Sequence, residues 1–132
     1  MTTKVKSTWQ ILLLALWINL AETARWILYS QAKFEALYRS LGLELPDKPI
    51  NTILWLIWGV VIASLVFILS QKFTLVQTTL ITWCAAFVLI WIVLWNFAIL
   101  PLEILLIAAP LSLIEIFIAA LISKKLQPQR SA

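Results

Sequence analysis

Residues 51–70, NTILWLIWGVVIASLVFILS, contain no charged side chain. A helix of that length covers roughly 30 Å, the thickness of a bilayer's hydrocarbon core. The stretch therefore reads as a transmembrane helix. Working outward from it, three more segments have the same character, at residues 8–29, 74–96 and 102–123. Composition agrees: of 132 residues 63% are apolar and 12% charged, and mean hydropathy is +0.99. An average soluble domain carries about 25% charge, and one this short has too little interior to hide so much apolar surface. The sequence predicts an all-α integral membrane protein: a single domain over 1–132 with four transmembrane helices. The connectors at 71–73 and 97–101 are so short that the helices they join are expected to run antiparallel, as a bundle.

Orientation follows from the bias of Lys and Arg toward the cytoplasmic side. With the N-terminus inside, the inner ends carry Lys4, Lys6, Lys72, Lys124, Lys125 and Arg130 and no acid. The outer ends carry Arg25, Lys33, Arg39 and Lys48 alongside Glu22, Glu35, Glu44, Asp47 and Glu103. Both termini are therefore expected in the cytoplasm, of a multi-pass protein in a plasma or inner membrane. This asymmetry explains the net charge of +4 without a nucleic-acid partner and favours anionic inner-leaflet lipid. Residues 1–21 also share the basic start and apolar run of a cleavable signal peptide. The following ETARWILY continues as helix and no A-x-A site is well formed, so the segment is read as a retained first span.

The one long connector, 30–50, is patterned. Phe34, Leu37, Tyr38 and Leu41 recur at the spacing of one helical face, with Lys33, Glu35 and Arg39 on the other. Gly42 is placed to end this helix, and Pro46 and Pro49 block its continuation. The expectation is a short amphipathic helix on the outer membrane surface between the first two spans, serving as a lid or as a docking surface. Small residues on the spans, among them Gly59, Ala63, Ala108, Ser112, Ala119 and Ala120, offer close-approach stripes.

Eight tryptophans are many for this length. Trp26, Trp55, Trp58, Trp91 and Trp95 map to the outer half, where an interfacial belt is the ordinary explanation. The same five define a candidate aromatic pocket for a lipid, a quinone-like ring or an organic cation. Trp17 and Trp83 fall nearer the middle and are expected to pack in the core.

Polar groups inside a span are costly and demand an account. Glu22 and Arg25 lie three residues apart, in reach of each other on one helix. Their depth suits an interfacial ion pair, or an outward-facing vestibule shared with Asn19 and with Asn96 of the third span. Glu115 lies deeper, eight residues before Ser123, among apolar neighbours that offer it nothing. Two accounts suit it: a hydrogen bond across to Thr78 or Thr82, or an ion or proton site built with Ser112 and the carbonyl that Pro110 frees. Glu103 complements the helix dipole at the start of the fourth span. Cys84, the one cysteine, reads as a small packing residue.

With no histidine, no glycine-rich phosphate loop and no nucleophile elbow, catalysis finds little support. An enzyme would have to run on Glu22, Glu115, Ser112 and tyrosine. No metal site and no cofactor are expected. The sequence favours a small membrane protein that works by binding or scaffolding, as an accessory subunit or a binder of lipid or another hydrophobic ligand. A small proton-linked transporter or channel using Glu115 is the second reading. Expected partners are membrane lipid and a second copy or another membrane protein.

Overall fold

The computed structural model describes residues 3–127, with side chains from Ser7 onward. The inner-end charge of Arg130, and the side chains of Lys4 and Lys6, lie outside the described residues. Four helical segments are long and apolar enough to cross a membrane: Ser7–Ser40, Pro49–Ser70, Leu75–Asn96 and Leu102–Leu126. No strand occurs among the described residues.

The first segment differs from expectation. Helix α1 (Thr3–Arg25) does not stop near Tyr29 but passes through a π-turn, Trp26–Ser30, into α2 (Gln31–Ser40). The residues at the two joints, Arg25 and Gln31, both keep right-handed helical dihedrals. Nothing between 26 and 40 is Gly or Pro, so no residue there breaks the backbone ladder. The amphipathic segment exists, but as the continuation of the first span. It ends at Gly42, whose φ of 70° lets the Gly42 amide bond the Arg39 carbonyl and Leu43 the Tyr38 carbonyl, a Schellman closure.

Helix α3 (Pro49–Ser70) begins with proline in its first turn, where a missing N–H costs nothing. Helix α4 (Leu75–Trp83) opens on a capping box between Thr74 and Gln77. A second π-turn, Cys84–Val88, joins it to α5 (Leu89–Asn96), and a 3₁₀ turn at Leu102–Ile104 leads into α6 (Leu105–Leu126).

The interior is small and partly polar. Leu14, Ala15 and Ile18 meet Ile62, Ala63 and Val66, then Ala86, Phe87, Ile116, Ala119 and Ala120. The alanines let helices approach closely, as packing in lipid requires. Gly59 serves the same end, because a Cβ there would collide with the side-chain amide of Asn19. Buried polar residues share this interior: Glu22, Ser70, Thr78, Thr79, Thr82, Ser112, Glu115 and Ser123. The outside is apolar, with Leu28 83% and Leu106 82% exposed. Such an inverted arrangement suits a lipid solvent. Cys84 is exposed, which corrects its assignment as a packing residue.

Cross-helix hydrogen bonds set the register. Gln10 donates to the carbonyl of Leu126, Trp17 to that of Glu115 and Tyr29 to that of Glu103. At the far end of the bundle the Ser70 and Ser123 hydroxyls lie 2.6 Å apart, and Gln127 donates to Ser70.

A second Schellman closure ends α5, with Ala98 amide on Trp95 and Ile99 amide on Leu94. Here the left-handed position is alanine, with φ 56°, a conformation strained for any residue with a Cβ. Ala98→Gly should therefore stabilise the protein by about 0.5–1 kcal/mol, after the extra unfolded-state entropy of glycine is subtracted. Thermal unfolding in detergent measures it.

Candidate functional site

The site is built around Arg25. Its guanidinium pairs with Glu22 one turn earlier and, at 3.2 Å, with Oε2 of Glu115 on α6. All three side chains are about nine-tenths buried or more. The face of the guanidinium lies over the Phe87 ring, 5.2 Å from its centroid. One cation is thus held by two carboxylates and an aromatic face, in an interior where each of these contacts is worth more than in water.

Glu115 consequently is not the isolated acid that its sequence neighbours suggest. Counting residues places Glu22 and Arg25 near one boundary and Glu115 nearer the other. The contact forms because helical side chains lean toward the N-terminus of their own helix. Trp17 bonds the Glu115 carbonyl, and Arg25 lies eight residues, roughly 12 Å, further along α1. Arg25 leans back along α1, Glu115 leans back along α6, and two long side chains close the gap.

The alternative partners named for Glu115 are otherwise arranged. The Ser112 hydroxyl donates to the Ala109 carbonyl and accepts from the Trp83 indole. The hydroxyls of Thr78 and Thr82 are buried with no hydrogen-bond partner, and so is Glu115 Oε1. The expected bond from Glu115 to a threonine is therefore corrected: the partner is Arg25. Trp83, with Trp17, packs in the interior and also ties its helix to α6 by an indole N–H.

Next to the triad lies a cavity of about 290 Å³, close to the lower end of the 300–1,000 Å³ usual for small-molecule sites. Its lining from α1 through α2 is Glu22, Arg25, Trp26, Ser30, Phe34 and Tyr38. Residues 22, 26, 30, 34 and 38 recur every fourth position. In a regular helix such a row drifts by about 40° per step. The π-turn at Trp26–Ser30, with Gln31 N–H bonded to the Trp26 carbonyl, is wider and reduces that drift. The second π-turn supplies Ala86 and Phe87; α5 adds Ile90, Trp91 and Leu94; α3 adds Trp55 and Trp58; Ile104 and Ala108 complete the wall. Both π-turns thus border the same cavity, in keeping with the frequent placement of such turns at functional sites.

Four of the five tryptophans singled out from the sequence, Trp26, Trp55, Trp58 and Trp91, line this space. They are packed against one another and their neighbours: Trp55 stacks on Trp58 at 5.2 Å, Trp58 meets the edge of Phe87 at 5.6 Å, and Trp26 tilts against Phe34 at 5.5 Å. Trp95 does not take part, being 60% exposed and outside the lining. Asn96 is exposed at the end of α5 and contributes nothing to a vestibule. Asn19 lies below the triad, its amide nitrogen on the Ala15 carbonyl and its oxygen unpartnered against Gly59.

Phe34, Tyr38, Ser30 and Phe87 were not anticipated as site residues. The periodic row through 22, 26, 30, 34 and 38 was the available signal. Likewise Glu115 falls on the small-residue face Ala108, Ser112 and Ala119, which marks it as facing another helix.

The described residues hold no group of three His, Cys, Asp or Glu that could bind a metal. Chemically the arrangement offers an apolar aromatic chamber with a charged floor. No family, curated protein or solved structure matches this chain, so its function is argued from this site.

Removing one member of a buried ion pair typically costs about 3–5 kcal/mol. Arg25→Leu should destabilise by that order, and by more than Glu115→Gln, because it strands two carboxylates. The triple replacement Glu22→Gln, Arg25→Leu, Glu115→Gln should recover most of the loss. Thermal denaturation of the three variants and the unaltered protein in one detergent decides the ranking.

Proposed function

We propose that this protein is a small, non-catalytic membrane protein that acts by binding a compact hydrophobic or amphiphilic molecule in the cavity beside Arg25. The observation that carries the reading is the chamber itself: aromatic and aliphatic on most sides, with Glu22 and Arg25 as its charged groups and Ser30 and Tyr38 as its further polar residues. A few placed polar groups in an otherwise apolar concavity are the usual composition of a ligand site.

In this reading the four spans form an antiparallel bundle with both termini cytoplasmic, and the cavity occupies the outer half. Register supports the antiparallel arrangement, since Gln10 early in α1 bonds Leu126 late in α6, while Tyr29, just past α1, bonds Glu103, just before α6. The helix from Ser7 to Ser40 has 34 residues, or roughly 51 Å. That exceeds the ~30 Å hydrocarbon core by about fourteen residues, so α2 reaches into the outer interface. There it forms a wall of the cavity through Phe34 and Tyr38 rather than lying apart as a detached surface helix. Membrane lipid surrounds the outward-facing leucines and isoleucines, and a second copy or another membrane protein is a further partner for those faces.

Native mass spectrometry of protein extracted in mild detergent tests the binding function. A discrete retained small molecule is expected, lost from Trp58→Leu and kept by Trp95→Leu, whose side chain is outside the cavity. Bare protein throughout the series counts against it.

One observation favours a second reading, a proton-linked transporter or channel. Glu115 Oε1 is buried and unpartnered, one side chain behind a residue that lines the cavity. On that reading Glu115→Gln abolishes flux in proteoliposomes while the protein still folds. On the binding reading neither the unaltered protein nor the variant shows flux.

A further inference from the structure

The cavity's ligand can be narrowed by charge, an inference that rests on the binding function proposed above. We infer that the cavity takes a small lipophilic organic monocation, such as a quaternary or protonated amine bearing one apolar ring.

Three observations lead there. The first is the charge count. Glu22 and Glu115 oppose the single cation Arg25, so the triad with all members ionised carries one net negative charge. No other charged residue lines the cavity, and a net charge away from water is costly. One additional positive charge at the cavity floor balances it.

The second is the state of Arg25. Its guanidinium already serves two carboxylates and lies over Phe87. It is therefore a poor receptor for an anionic headgroup, which would have to displace one of those carboxylates. Glu22 lines the cavity as Arg25 does, and its carboxylate meets Arg25 through one oxygen, Oε1.

The third is the wall. Trp26, Trp55, Trp58 and Trp91 border a space of about 290 Å³, and the faces of aromatic rings attract cations, tryptophan most strongly. The protein already places one cation over such a face, Arg25 over Phe87. An aromatic chamber with a carboxylate at one end has the chemistry that recognises a quaternary ammonium. The volume admits a headgroup with one ring and little more.

Calorimetric titration of the full chain in an uncharged maltoside detergent tests this with three probes of similar size. They are benzyltrimethylammonium, neutral 4-phenyl-1-butanol and anionic 4-phenylbutyrate. The cation should bind at least about tenfold more tightly than the alcohol, and Glu22→Gln should erase that preference. The comparison of probes on the unaltered protein stands even if Glu22→Gln does not fold. Equal or tighter binding of the alcohol overturns the cation assignment and leaves the cavity as a neutral-ligand site. Preference for the carboxylate also overturns it and makes Arg25 the recognising group. Failure of all three probes to bind removes the binding function as well.

Discussion

A guanidinium with only a tenth of its surface exposed is the constraint around which this structure is arranged. Arginine stays charged in a protein and carries five donors in a fixed plane. It can be buried in a bilayer only where anions and dipoles replace the lost water. Glu22 comes from the same helix, one turn away, and could not meet that demand in isolation without leaving the pair facing lipid. Glu115 comes from α6 and closes the cluster from the other side. The price is that α1 and α6 must hold one register, which the hydrogen bonds of Trp17 to the Glu115 carbonyl and of Tyr29 to the Glu103 carbonyl, just before α6, also fix.

The same constraint creates the cavity. A side chain as long as arginine, leaning down between α1 and α6, fills the space below its own Cα and leaves the space above for others. What surrounds that space is aromatic. Tryptophan and phenylalanine are broad and rigid, with few rotatable bonds, and rings set at 79° or 38° to one another do not fill a volume as leucines would. The two π-turns then adjust which residues point inward. Without the wide turn at Trp26–Ser30, Phe34 and Tyr38 would rotate progressively away from the face that bears Glu22. Helix irregularity and cavity lining are one feature here.

Much of the architecture was legible because its cause is local. Uncharged runs near twenty residues long, the capping box at Thr74 and Gln77, the proline at the start of α3 and the glycine after Ser40 each act within a few residues, and each reads directly from the sequence. The continuation of the first helix past Tyr29 was missed because the loop was inferred from polarity. Gln31, Lys33 and Glu35 are polar yet good helix formers, and polarity marks exposure, not the end of a helix. The site was legible in its members and in the Glu22–Arg25 pair, but not in the connection to Glu115. Glu22, Arg25, Glu115 and four lining tryptophans were identifiable singly, since charges and indoles in apolar runs stand out. That Arg25 belongs to Glu115 could not be read from depth along each helix, because Cα depth ignores the opposite lean of two long side chains.

The unpartnered atoms gain meaning from this. Buried oxygens without hydrogen bonds are uncommon in a settled interior, and among the described residues four occur, on Asn19, Thr78, Thr82 and Glu115. All lie on the spans that frame the triad, and none borders the aromatic chamber. The polarity of the bundle is therefore divided between two places. In one, two carboxylates share a single guanidinium beside an aromatic-lined cavity. In the other, hydroxyl and amide oxygens are held in small-residue packing with acceptor capacity to spare. Glu115 contributes to both, with Oε2 on Arg25 and Oε1 unpartnered. A change at the cavity that altered Arg25's hold on Glu115 would be felt first by that second oxygen. On the proposed binding function, Glu115 is the residue that would connect a bound ligand to α6, because its carboxylate joins that helix to Arg25, which lines the cavity.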